Sequence, residues 1–170
     1  MQVTLVQEAS TLDPAANRAR LAELTPEGSD LVVFPEAFAR DFGEAGSDVS
    51  PFAESLHGAF ATELAAVAAE HNTTVVAGMF ETSADPARPY NTLLVRGATD
   101  ASYRKIHLYD SFGYRESDAL SPGDLAHQVR SEQAVRDVRV LRSKCGGQRG
   151  RAAMRAQEPA LVVRVRECLR

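Results

Sequence analysis

Hydrophobic positions alternate between strand-like and helix-like spacing over residues 1–105 of this chain and lose that order towards its end. Residues 2–7 alternate, with Val3 and Leu5 on one side, as a short half-buried strand requires. Asp13-Pro14 then opens a helix. The carboxylate caps free N–H groups, and proline takes the first helical position, where no hydrogen bond is lost. Ala16, Ala19, Leu21 and Leu24 carry its apolar stripe at mostly three-to-four spacing, and Pro26 with Gly28 end it. Residues 30–34 contain the unbroken run Leu31-Val32-Val33-Phe34, which suits a strand buried on both faces. Pro35 stops that strand, and residues 35–51, rich in Gly, Asp and Ser, read as a long loop.

The alternation then resumes. Residues 52–71 are alanine-rich, with Leu56, Phe60, Leu64, Val67 and Ala68 on one stripe, and predict an amphipathic helix. Residues 73–80 and 90–96 predict two strands, and residues 101–105 a third, joined to the second by a turn at 97–100. Residues 106–124 read mostly as loop, closed by Ser121-Pro122-Gly123-Asp124. Strand, helix, strand, helix and three further strands predict an α/β layered fold. Beyond residue 126 the pattern weakens. Residues 133–141 suit an arginine-studded helix and residues 160–165 a short strand, but residues 145–155 offer little to bury. Weak local preference without a consistent apolar face argues against a uniquely packed unit.

Composition sharpens that division. All seven Phe and all four Tyr lie between Phe34 and Tyr114. Residues 1–125 carry 8 Lys and Arg against 19 Asp and Glu, a net of −11, whereas residues 126–170 carry 11 against 4, a net of +7. The expected organisation is therefore a domain over 1–125 and an irregular basic tail over 126–170. A tail of that charge would attract polyanions in a salt-sensitive way. It has no aromatic for base stacking and no recognition motif, so no nucleic-acid partner is expected.

The 170 residues, 44% of them apolar, suit a single cored domain. No apolar run approaches the roughly 18 residues of a membrane span, and the N-terminus lacks a signal-like stretch, so a cytoplasmic location is expected with no membrane partner. Cys145 and Cys168 have neither C-x-x-C spacing nor a nearby His pair. No zinc site and no disulfide framework are expected.

Four side chains invite a chemical reading. Glu36 follows the buried strand in Val33-Phe34-Pro35-Glu36-Ala37-Phe38, at the sheet edge where open α/β folds place ligands. Apolar neighbours would desolvate it and raise its pKa, as a general base requires. Taken alone it reads as a solvated acid, as most acids after a strand are. Lys105, at the end of Ser102-Tyr103-Arg104-Lys105, could serve as an oxyanion-stabilising ammonium, but taken alone it reads as a surface lysine. His107 reads as a structural hydrogen-bond donor, and Glu116 either lines a pocket or pairs with Arg115.

Together these segments resemble the nitrilase superfamily of carbon–nitrogen hydrolases. The resemblance rests on Phe34-Pro35-Glu36, on Tyr103-Arg104-Lys105-Ile106-His107-Leu108-Tyr109-Asp110, on Tyr114-Arg115-Glu116-Ser117 and on Ser121-Pro122-Gly123-Asp124. Ala77-Gly78-Met79-Phe80-Glu81 and Tyr90-Asn91-Thr92 also fit, all in order, over residues 1 to about 125. The resemblance implies an α-β-β-α sandwich, here incomplete, and a Glu-Lys-Cys triad acting on a small-molecule amide or nitrile without metal or organic cofactor. It assigns Glu36 as general base, Lys105 as oxyanion stabiliser and Glu116 as a second pocket carboxylate, and it makes a homo-oligomer possible.

The pattern breaks where the nucleophile is due. Cys145 stands at about the right distance from Asp124, but in Ser143-Lys144-Cys145-Gly146-Gly147, with no apolar strand before it and no aromatic after it. Lys144 would lower its thiol pKa, yet the triad demands position more than acidity. The Arg-, Gly- and Ala-rich composition of the tail is what a GC-rich reading frame yields out of register. The expectation is thus a frameshifted or truncated hydrolase impaired for want of its cysteine, the alternative being a non-enzymatic remnant or binding module with a basic tail.

Overall fold

The computed structural model describes residues 2–125 together with two short strands, Val138–Val140 and Leu161–Val163. Five strands form one mixed sheet in sequential spatial order: β1 (Val3–Leu5), β2 (Leu31–Val33), β3 (Thr74–Glu81), β4 (Tyr90–Arg96) and β5 (Ala101–Arg104). β1, β2 and β3 run parallel, with Val3 opposite Leu31 and Leu31 opposite Thr74. β4 and β5 continue antiparallel, with Phe80 opposite Asn91 and Thr92 opposite Arg104. Parallel pairing demands crossovers, and these carry α1 (Pro14–Glu23) and α2 (Ala59–Glu70).

Both helices cover the same face. Leu21 of α1 and Phe60, Leu64, Val67 and Ala68 of α2 pack with Val75, Ala77 and Met79 of β3 and Leu94 of β4 in one buried cluster. Leu31, Val76 and Val95 form a second cluster on the opposite face. All eight residues of β3, the central strand of the five, are buried. α1 begins where Asp13 caps it, its Oδ1 accepting from the N–H groups of Ala15 (2.8 Å) and Ala16 (3.3 Å). One helical layer on one sheet is the α/β arrangement expected, an incomplete α-β-β-α sandwich.

Three expectations are corrected. The second helix begins at Ala59, not at residue 52. Ser50–Phe52 is a 3-10 turn, and Glu54 bridges in parallel to Glu81 at the sheet margin. The Glu54 carboxylate then accepts from the Phe60 N–H at 2.8 Å, so it caps the helix from outside. Leu56 still packs on the core from the irregular segment, which is why its position matched the helical stripe.

The stretch expected as loop contains a two-stranded hairpin, β6 (Asp110–Ser111) with β7 (Tyr114–Arg115), followed by a 3-10 turn at Glu116–Asp118. Its two turn residues, Phe112 (φ 53°) and Gly113 (φ 80°), both have positive φ, as a type I′ hairpin needs. A phenylalanine there, 93% exposed, hides the usual Asn-Gly signal. Finally, Val138–Val140 lies within the segment expected as helix but is a strand, β8, pairing in parallel with β9 (Leu161–Val163). Cys145 and Cys168 lie outside the described residues.

Candidate active site

A tight turn positions Glu36. Ala37 adopts a left-handed φ of 52° while almost fully buried, reversing the chain directly after the carboxylate. That conformation costs an alanine about 1 kcal/mol and is held by the backbone beneath it. The Phe34 N–H donates to Val76 O (2.8 Å) and the Ala39 N–H to Gly78 O (3.0 Å), so the turn is laid along β3. Gly78 makes the close approach possible: a Cβ there would lie 2.4 Å from Ala37 N and 3.1 Å from the Glu36 carbonyl carbon.

Lys105 is pinned through its own peptide groups. Its N–H donates to Asn91 O (2.8 Å), and its carbonyl accepts from the Gly123 N–H (2.9 Å). Gly123 again permits contact that a side chain would block, since a Cβ there would sit 2.4 Å from Arg104 O. The Pro-Gly-Asp segment thus holds the end of β5 in place. Glu116 enters from the 3-10 turn after the hairpin and is 2% exposed.

These elements bring three of the expected residues together. Lys105 Nζ lies 3.0 Å from Glu36 Oε1 and 3.0 Å from Glu116 Oε2. The Glu116 Oε2 also accepts from the Tyr109 N–H at 2.7 Å. Glu116 therefore pairs with Lys105, whereas Arg115 pairs with Asp118 at 3.4 Å. His107 is exposed on the connecting segment. The environment expected for Glu36 needs correcting: an ammonium and an amide N–H face its carboxylate, and its side chain is about one-third exposed (32%).

Sequence reasoning passed over one member of the cluster. Asn91 Nδ2 donates to Glu36 Oε1 (2.6 Å) and to Glu116 Oε1 (3.2 Å). Asn91 is buried at the start of β4, opposite Phe80. Its only sequence signal is a place in Tyr90-Asn91-Thr92, where an asparagine opening a strand reads as an end rather than a site.

Strand alternation separates this cluster from a second one. Asn91 and Lys105 point to one face; their neighbours Thr92 and Arg104 point to the other. There the buried Glu81 accepts from Thr92 Oγ1 (2.8 Å), Arg104 Nε (2.9 Å) and Arg104 Nη2 (2.5 Å). The Arg104 guanidinium also stacks 4.2 Å over the Tyr90 ring. Its hydrogen bond to Glu81 raises the Arg104 pKa further above its ordinary value, partly opposed by burial. Beside the first cluster, burial and then the Glu116 charge raise the Tyr114 pKa, with Lys105 pulling it back. Among the described residues no three His, Cys, Asp or Glu side chains are placed to hold a metal ion. None of their helices is long and apolar enough to cross a membrane.

An anchored carboxylate beside an ammonium can take a proton and stabilise a developing oxyanion. The chain matches the carbon-nitrogen hydrolase family over residues 2–156. It is 39% identical over 132 residues to a hydrolase of Mycobacterium tuberculosis, an alignment covering 72% of this chain and 46% of that protein. The chain thus spans less than half the length of the curated relatives it matches. The fold resembles XC1258 of Xanthomonas campestris, a CN-hydrolase superfamily protein, with a TM-score of 0.67 and 26% identity over 81% of this chain and 52% of that one. It also resembles an amidase from Nesterenkonia sp., with a TM-score of 0.62 and 25% identity over 83% and 54% of the two chains. With the family matched along most of its length and its fold shared with solved members, this chain belongs to the carbon-nitrogen hydrolase family.

Proposed function

We propose that this chain carries the base-and-lysine part of a hydrolase for small non-peptide amides or nitriles, with turnover impaired at the nucleophile. The observation that carries the reading is the convergence of Glu36, Lys105 and Glu116 from three separate segments within 3.0 Å contacts. In this reading Glu36 takes a proton from the nucleophile and Lys105 stabilises the oxyanion of the tetrahedral intermediate. Glu116 holds Lys105 from the buried side. The similarity to an amidase supports an amide as substrate class.

The nucleophile would be a cysteine thiolate that attacks the carbonyl carbon, expels ammonia and leaves a thioester for water to hydrolyse. The glycine-rich setting of Cys145 supports impairment, and loss of such a nucleophile costs on the order of a millionfold in turnover. In the same reading residues 1–125 are the N-terminal half of the hydrolase domain and residues 126–170 an atypical tail from a shifted reading frame. The other two frames of the coding DNA beyond codon 125 should then encode a cysteine-containing strand.

A second reading keeps Cys145 as a working nucleophile, favoured by the family match running through it to residue 156. Ammonia release from acetamide and butyramide by the full chain, Cys145→Ala and Glu36→Gln separates the two. Impairment predicts background release in all three proteins. A working Cys145 predicts release by the full chain that both substitutions abolish. Release that survives Glu36→Gln would sink both readings.

A further inference from the structure

The Glu36 carboxylate is held asymmetrically. Oε1 accepts from both Asn91 Nδ2 (2.6 Å) and Lys105 Nζ (3.0 Å), while no described residue donates to Oε2. A side-chain amide has two N–H hydrogens, and here each has its own carboxylate: Glu36 Oε1 at 2.6 Å and Glu116 Oε1 at 3.2 Å. The amide cannot be inverted without setting its oxygen against both acids, so its orientation follows from the chemistry. The same residue holds Lys105 through its carbonyl, at 2.8 Å from the Lys105 N–H. Asn91 therefore touches Glu36, Lys105 and Glu116 at once, from a buried position near the start of β4.

We propose that Asn91 is the positioning residue of this site, and that it selects Oε2 of Glu36 as the oxygen that takes the proton. With both good acceptor directions of Oε1 occupied, the nucleophile's proton passes to Oε2. The S–H or O–H bonding pair stays on the nucleophile, and Glu36 becomes neutral. An amide suits the task better than an ion. It donates to two carboxylates without adding charge, so Lys105 remains the cation that faces the oxyanion. This assignment deepens the hydrolase reading and rests on it for the proton transfer, but the geometry of Asn91 is testable without turnover.

The deciding experiment is a 15N–1H spectrum of the full chain at neutral pH. The two Asn91 side-chain protons are expected as a widely split pair shifted downfield, identified by their loss in Asn91→Leu. Glu36→Gln should move one member of the pair and Glu116→Gln the other. These two substitutions leave Asn91 in place, so the test stands even where Asn91→Leu fails to fold. A pair that ignores both substitutions overturns the proposal. Where amide turnover is measurable, Asn91→Leu should lower kcat about ten- to hundredfold with a smaller change in KM, as expected for a lost bond to a charged group. An unchanged kcat overturns the positioning role. An intact pair in a chain with no turnover supports the Asn91 geometry and impairment at the nucleophile together, whereas amide release that survives Glu36→Gln counts against the hydrolase reading alone.

Discussion

Replacing Gly78 with alanine tests how the Glu36 turn is held. The added Cβ would stand 2.4 Å from Ala37 N, where ordinary contact begins at 3.4 Å, so about 1 Å must be absorbed. The obstructing atoms are backbone on both sides, with no flexible side-chain end to give way. Ala37, already at φ 52°, has little freedom to move, and Phe34 and Ala39 are bonded to β3 on either side of it. Overpacking of this kind costs about 1–3 kcal/mol. It should appear in urea denaturation as a lower midpoint with an unchanged slope. The same shift would carry Glu36 Oε1 from 3.0 Å to about 4 Å from Lys105 Nζ, and a 1 Å misplacement costs about a hundredfold in a working site. Gly28→Ala is the comparison. Its φ of 78° is strained for alanine, but no atom lies within 4 Å of the new Cβ. It should lose stability without moving the Asn91 signals. Gly78→Ala with full stability and unmoved Asn91 signals would refute the argument that backbone contact holds the turn.

Two further outcomes follow from the charged clusters. Arg104→Met leaves the Glu81 carboxylate buried with Thr92 as its one remaining side-chain donor among the described residues, and should cost about 2 kcal/mol in urea unfolding, discounted because Arg104 is 38% exposed. The Tyr114 phenol, its pKa raised by burial and by Glu116, should ionise above its ordinary value of 10.0 in an alkaline absorbance titration, a step that Tyr114→Phe removes. A folded-state pKa above the unfolded one means the folded chain holds the proton more tightly. That contribution to stability is therefore complete below about pH 10 and is lost as pH rises through the folded value.

Much of the fold was legible because burial is written into residue spacing. Tyr90–Arg96 appears at the expected bounds, and Leu21, Leu64 and Val67 face the core as their periods required. The errors have local causes. Glu54 leaves the helical pattern because it bridges to Glu81, and a partner 27 residues away is invisible to a periodic stripe. The 112–113 turn went unread because Phe112 accepts a left-handed φ that sequence preference assigns to Asn or Gly. Glu36, Lys105 and Glu116 were legible as site residues, while Asn91 and Gly78 stood in family-like segments without a role of their own. An amide and a glycine carry no charge pattern, and their importance lies in what stands within 3 Å of them.

By itself the sequence determined the order of the elements, the face each buries and the acids and lysine available for chemistry. All of these depend on near neighbours and on period. Only the tertiary structure decided which groups meet. Glu36 and Lys105 are 69 residues apart in the chain and share one hydrogen bond. Strand register sends Asn91 and Lys105 to one face of the sheet and Thr92 and Arg104 to the other. The physical reason is that alternation fixes which side a residue takes, whereas the partner it meets there is set by pairing between distant strands.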